Sequence, residues 1–289
     1  PFGITSLIAI RITATIAIVG FTLAHAAGRS RTERVQGMVT ATTIAALSLF
    51  VLAGSAAAQD RPVAPTTSGP VRGVIEDGAL VYRGIPFAAS ASGEGRWAPP
   101  RPPQPWTTPR DAAEYGPICV QGARPDGIPA AGGGRPQSED CLSLNVFSPK
   151  GAKSAPVMVW IHGGALQTDG AKDPLYAPIN LVKNGVIVVT FDYRLGSLGF
   201  FASQELIEEA KAKGEPVGNY GTMDQIAVLK WVKRNIAAFG GNPNNVTVFG
   251  ESAGARSVTW LMVSDAARGL FHRAIAESAQ QSPIRGLSE

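Results

Sequence analysis

The sequence is short of the residues that bind metals and of fixed charge. Its 289 residues include three histidines, His25, His162 and His272, and two cysteines, Cys119 and Cys141. A metal site needs more ligands than two cysteines and scattered histidines supply, so no metal is expected, and nothing in the sequence calls for a cofactor. Charged residues make up only 17% of the chain. The formal charge of +4 would suit a polyanionic partner, but residues 1–58 hold Arg11, Arg29, Arg31 and Arg34 against Glu33, a surplus of +3. From Gln59 onward the chain carries about +1, with both signs interspersed, which excludes nucleic acid as a partner.

Long uninterrupted apolar runs are missing too. Residues 6–24 are apolar but broken by Arg11, and the run from Ile44 to Leu52 is too short to span a bilayer comfortably. The first methionine is Met38, and the second run ends in small residues at Ala56 and Ala58. Residues 1–37 are therefore expected to be sequence upstream of the true start, residues 38–58 an export signal cleaved after Ala58, and residues 59–289 the folded part. The alternatives are a membrane segment at 6–24 and a retained anchor at 38–58. No basic residue lies between Met38 and the apolar core, and no cysteine follows Leu52-Ala53-Gly54-Ser55 to carry a lipid. The product is expected to be secreted or periplasmic, with no membrane association beyond export.

No repeat of solenoid or propeller length follows Gln59. The front is rich in Gly and Pro, with short runs at Val71 to Ile75, Ala79 to Gly84 and Leu142 to Phe147 that read as an antiparallel entry to a sheet. From Pro156 the pattern changes. Val157 to Ile161 and Val186 to Phe191 are continuous apolar runs, as strands buried on both faces require. Thr222 to Phe239 is helical, with Ile226, Leu229, Val232, Ile236 and Ala237 on one face and Gly240-Gly241 as the stop. Asn245 to Phe249 reads as a strand and Ala253 to Val263 as the helix after it. The alternation predicts an α/β fold: a mostly parallel sheet with helices on both faces.

Gly250-Glu251-Ser252-Ala253-Gly254 sits where that last strand meets its helix. A serine on a sharp strand-to-helix turn between glycines is the setting of a nucleophile elbow, with its hydroxyl exposed above the sheet and a helix N-terminus beneath it. An acyl-transfer nucleophile also needs donors for the oxyanion. Trp160-Ile161-His162-Gly163-Gly164-Ala165 ends another buried strand. Its Gly163 permits a tight turn, and the N–H groups of Gly164 and Ala165, joined by that of Ala253, would make a three-donor hole.

The exported part resembles the type-B carboxylesterase family, which includes bacterial para-nitrobenzyl esterases, liver-type carboxylesterases and cholinesterases. The resemblance runs through Tyr82 to Ala88, Ser138 to Asn145, Val157 to Gly164, Asp192 to Gly196, Gly218 to Gly221 and Phe249 to Gly254, and covers nearly everything from Pro70 to Ser278. It implies the α/β-hydrolase fold, a small-molecule ester as substrate, Ser252 as nucleophile and Gly164, Ala165 and Ala253 as oxyanion donors. Ala165 stands where the family commonly has a third glycine, and alanine keeps the N–H. Asp192 stands where asparagine is more usual. Cys119 and Cys141 lie 22 residues apart in a chain read as exported and are expected to pair. The resemblance implies the same, and free structural cysteines are the alternative. It also implies a structural ion pair between Glu139 and Arg96. Glu251 is read as a structural hydrogen-bond or ion-pair residue pointing away from Ser252, and Asp224 as a charge suited to a helix N-terminus.

No histidine here is a good general base for Ser252. His25 lies in the leader, His162 belongs to the oxyanion turn and His272 is expected on a packing helix after the elbow. In α/β-hydrolases the order is nucleophile, acid, histidine, so the resemblance places the acid and histidine in a C-terminal half beyond residue 289. A chain lacking them is expected to be inactive as it stands. The competing function is a cholinesterase-like binding or adhesion protein that has lost hydrolysis; a lipase would be the same chemistry with another pocket. Oligomeric state is not legible.

Overall fold

The structure, a computed structural model, describes residues 61–122, 136–171 and 178–279. The leader and export-signal readings for residues 1–58, and His25, lie outside the described residues.

Strands β1 (Val63–Pro65), β2 (Pro70–Arg72) and β5 (Arg110–Asp111) form a small sheet, and β6 (Ile118–Cys119) pairs with β7 (Gln137–Ser138). The main sheet uses β3 (Val74–Glu76), β4 (Ala79–Pro86), β8 (Ser143–Pro149), β9 (Ala155–Ile161), β10 (Ile187–Phe191), β11 (Gly241–Glu251) and β12 (Arg273–Glu277). Its order is β12-β11-β9-β10-β8-β4-β3. Pairing is antiparallel from β3 through β4 and β8 to β10, and parallel from β10 through β9 and β11 to β12. The antiparallel entry is thus as wide as the parallel part, and the latter carries the two glycine-rich turns.

Among the described residues the α-helices are α1 (Ile179–Lys183), α2 (Gly196–Phe200), α3 (Gln204–Lys213), α4 (Tyr220–Asn235) and α5 (Ala253–Val263). Side chains alternate across a strand, so successive residues of β8 and β10 serve opposite faces. Phe147 and Val188 pack with Val81 and with Val182 of α1. Val146 and Val189 join Val157, Val159, Leu229 and Val232 of α4, and Val258 and Leu261 of α5 on the other. Helices therefore cover both faces, and the apolar stripe of α4 explains why that helix lies flat on the sheet.

Two local expectations change. Val71 to Ile75, read as one strand, is two strands in different sheets, divided at Gly73. A β-carbon there would lie 2.6 Å from the Tyr82 ring, so glycine lets the chain cross closely over β4 as it leaves one sheet for the other. The helix read as Thr222 to Phe239 ends at Asn235 and tightens into a 3₁₀ turn, Ile236–Phe239, before Gly240 turns left-handed at φ 84°.

Cys119 and Cys141 are joined by a disulfide with Cα atoms 5.0 Å apart, both residues buried, so neither is free. Arg96 meets Glu139 through two parallel bonds, Nε to Oε2 and Nη2 to Oε1, both 2.6 Å. This is the expected pair, in the fork geometry that arginine favours.

Candidate active site

Strand β11 runs into α5 through one residue. Ser252 has φ 55° and ψ −116°, a conformation that costs a non-glycine residue about 1–3 kcal/mol and persists only where the surroundings enforce it. They do so at close range. A β-carbon at Gly250 would lie 2.7 Å from the Ile161 carbonyl oxygen, and one at Gly254 would fall on that same oxygen, so only glycine lets the elbow approach the end of β9. The Ser252 N–H donates to the Glu277 carbonyl at 2.9 Å, tying the turn to β12. Its side chain is exposed, and among the described residues its hydroxyl makes no hydrogen bond.

The turn after β9 lies beside it. A β-carbon at Gly163 would be 3.4 Å from Ser252 Cβ and 3.0 Å from the Glu251 carbonyl oxygen, which explains glycine there. Gly164, Ala165 and Leu166 all have positive φ, at 87°, 57° and 63°. The Gly164 carbonyl turns back to accept the N–H groups of Gln167 and Thr168 at 2.9 and 3.0 Å. The N–H groups of Gly164 and Ala165 donate to no acceptor among the described residues. That of Ala253, the first residue of α5, has no acceptor within its helix. Three unengaged donors and the positive end of an eleven-residue helix thus flank one exposed hydroxyl.

Neither described histidine serves that hydroxyl. His162 is buried, its ring stacked on Tyr193 with centroids 4.3 Å apart and its Nδ1 3.0 Å from the Gly163 carbonyl oxygen. Tyr193 Oη donates to the His162 carbonyl at 2.9 Å, so this histidine is built into the turn. His272 is not on a helix: it stands just before β12, where its backbone N–H donates to the Val246 carbonyl at 2.8 Å and its Nδ1 accepts the Val246 N–H at 3.2 Å. Val246 is six residues up β11 from Ser252 at about 3.3 Å each, so His272 lies near the far end of the strand.

Two acidic residues differ from expectation. Glu251 makes no hydrogen bond or ion pair among the described residues; its Oε2 would be 3.0 Å from a β-carbon at Gly163, so it lies over the turn. Asp224 does not open the helix: α4 begins at Tyr220, and Asp224 is fully buried as its fifth residue. It accepts Arg194 Nε at 2.9 Å, Nη2 at 2.8 Å and the Arg194 backbone N–H at 3.1 Å. Burial raises the Asp224 carboxyl above its ordinary value, against the pull of those donors. Asp192 is also buried and accepts the Ala171 N–H at 2.9 Å.

Behind the elbow, Gln225 and Ser257 are both fully buried. Gln225 Nε2 donates to Ser257 Oγ at 3.0 Å, and Ser257 Oγ donates to the Ala253 carbonyl at 3.1 Å. The sequence carried a signal for this link: Gln225 falls three, four and seven residues before Val228, Leu229 and Val232, putting an amide on the face of α4 that packs on the core.

In front, an open groove of about 860 Å³ begins at Ala165 and Leu166 and runs past Leu195, Phe201 and Trp260. Among the described residues no charged side chain lines it.

The model of the carboxylesterase family matches residues 60–284. The chain belongs to that family. The chain is 44% identical over 240 residues to fumonisin B1 esterase of Sphingopyxis macrogoltabida, a match that covers 81% of the chain and 43% of the relative. It is 46% identical over 219 residues to para-nitrobenzyl esterase of Bacillus subtilis strain 168, covering 75% and 43%. A solved PNB esterase superposes with a TM-score of 0.67 at 44% identity, over 76% of this chain and 44% of that one. The chain therefore spans under half the length of these relatives.

Proposed function

We propose that this chain carries the nucleophile and oxyanion donors of a serine hydrolase that cleaves small-molecule carboxylic esters. Ser252 Oγ attacks the ester carbonyl carbon as a general base takes its proton. The tetrahedral oxyanion is held by the N–H groups of Gly164, Ala165 and Ala253. The C–O bond to the alcohol then breaks, the alcohol leaves with that proton, and water hydrolyses the Ser252 acyl-enzyme by the same steps. The observation that carries this reading is the strained, exposed Ser252 facing a turn whose donors are otherwise unengaged. A serine that only capped a helix would need neither the strain nor the unpaired donors. The uncharged groove suits neutral acyl or alcohol groups.

The base and its orienting acid come, on this reading, from sequence beyond residue 289. His162 and His272 are engaged elsewhere, and the relatives are more than twice as long as the matched region. Export to a secreted or periplasmic location is part of the same proposal, supported by the buried disulfide, a bond that persists in oxidising compartments.

The test uses the full-length protein. Ser252→Ala should abolish hydrolysis of short-chain p-nitrophenyl esters and covalent labelling by an organophosphate. Most of the parent's turnover surviving in that variant would exclude the assignment.

A further inference from the structure

The fully buried Gln225–Ser257 pair lies behind the elbow and touches no substrate-facing surface. Its amide is costly to keep there. Among the described residues Gln225 Oε1 has no partner, and an unmatched buried acceptor costs about 1–3 kcal/mol, which a methionine of similar size would avoid. Exchanging the amide's oxygen and nitrogen does not help, because Ser257 Oγ offers contact to one amide atom only. What a methionine could not supply is the link itself, which ends on the carbonyl of Ala253, the residue directly after Ser252.

We propose that Gln225 is a positioning residue for the esterase reaction. Through Ser257 it fixes the first turn of α5, and so the direction in which the Ala253 N–H meets the oxyanion. This deepens the ester-hydrolase reading and rests on it. The reasoning is directional. The Ala253 carbonyl lies in the first turn of a helix entered through a strained residue, where backbone rotation is less constrained than in a helix interior. Its side-chain anchor is the neighbour of Asp224, which Arg194 holds by three bonds. The elbow helix is thereby referenced to the firmest point of α4. An N–H misdirected by a fraction of an ångström weakens its bond to the oxyanion, which exists only in the transition state, and leaves ester binding alone.

The experiment uses the full-length protein, with Ser252→Ala as the control that establishes the nucleophile. Gln225→Met, Ser257→Ala and the double variant are compared by kcat and KM on p-nitrophenyl butyrate, by thermal midpoint, and by affinity for a trifluoromethyl ketone that forms a tetrahedral adduct. Deleting an oxyanion donor outright costs about 10²–10³-fold, so misdirecting one of three should lower kcat about 3- to 30-fold. KM should hold, ketone affinity should fall by the same factor, and the double variant should be no worse than the worse single one. Unchanged kcat with a lowered midpoint would make the pair merely structural and overturn the proposal. So would a raised KM at constant kcat, or losses that multiply in the double variant. Failure of the Ser252→Ala control would instead sink the ester-hydrolase reading itself.

Discussion

Replacing Asp224 with alanine should be among the most damaging single changes to this fold, and replacing its partner as well should repair much of the damage. Arg194 is only 4% exposed and Asp224 not at all. Without the carboxylate, the guanidinium keeps Nη1 bonds to the carbonyls of Ala98 at 2.8 Å and Gly95 at 3.4 Å but loses its counter-charge. Stranding one member of a buried pair costs about 3–5 kcal/mol. At about 2–4 °C per kcal/mol for a domain of this size, the thermal midpoint should drop by about 6–20 °C. Taking both charges out of water offsets much of what the pair gains, so an apolar pair of like volume should be nearly neutral. The double variant Arg194→Met with Asp224→Leu still gives up the tether to residues 95–98 and the acceptor of the Arg194 N–H, about 1–2 kcal/mol together. It should therefore be more stable than Asp224→Ala by about 2 kcal/mol. Urea and thermal unfolding of the parent, Arg194→Met, Asp224→Leu and their double variant, with Asp224→Ala beside them, decide it. A double variant that loses the sum of the single losses would refute the reasoning, because the pair would then carry no coupling.

Gly254→Ala should lower ester turnover of the full-length protein by about 10²-fold while leaving it folded, since a β-carbon there displaces α5 from the Ile161 carbonyl; near-normal kcat would show that the elbow tolerates the shift. Replacing Cys119 and Cys141 by serine should destabilise the protein by about 3 kcal/mol on the chain-entropy account of a 22-residue separation, read as a lower urea midpoint, whereas no change would mean the bridge is dispensable. Hydrogen bonds from Arg83, Arg61 and Arg96 hold the carboxyls of Glu76, Asp111 and Glu139 below their usual values. Depressed folded values mean stability that is present above the unfolded carboxylate range near about 4 and lost as pH falls through the folded values. The melting temperature should accordingly fall on acidification below about pH 4, and Glu76→Gln should flatten that fall; a steeper acid limb in the variant would contradict the sign. Residues 59–289 expressed alone should show ester turnover at background, and a soluble monomer with Ser252-dependent turnover near the full-length rate would bring His162 or His272 forward as the base.

What the sequence disclosed best were the elements with strong local patterns. The helix Ala253–Val263 matches its expected bounds because a glycine-flanked serine starts it and the apolar positions repeat at helical spacing. The buried strands β9 and β10 were legible as unbroken apolar runs, and the Arg96–Glu139 pair through the family resemblance. Less legible was anything set by contacts distant in the chain. Gly73 reads as a strand residue until Tyr82 is packed against it, 9 positions on. Asp224 looks like a helix-terminal charge until Arg194, 30 residues earlier, closes over it. Glu251 reads as a residue with a polar partner, and among the described residues it meets the Gly163 turn instead. His272 was assigned to a helix because nothing local marks the end of the turn between α5 and β12.

The bond from the Ser252 amide to Glu277 bears on how the protein is made. Strand β11, helix α5 and strand β12 form one crossover unit, and that bond closes it over 25 residues of chain. Such a short closure is fast, but a ribosome delivers the chain from its N-terminus, so the Ser252 backbone cannot be locked until residue 277 has emerged. The turn at Gly163 and Gly164 is synthesised almost ninety residues before Ser252 and waits, with its donors open to water, for that unit to dock. The last order acquired in this part of the molecule is thus the order on which the proposed ester hydrolysis depends. Protection of the Ser252 amide from hydrogen exchange should accordingly rise late in refolding, together with that of β12 and after that of β8 and β10.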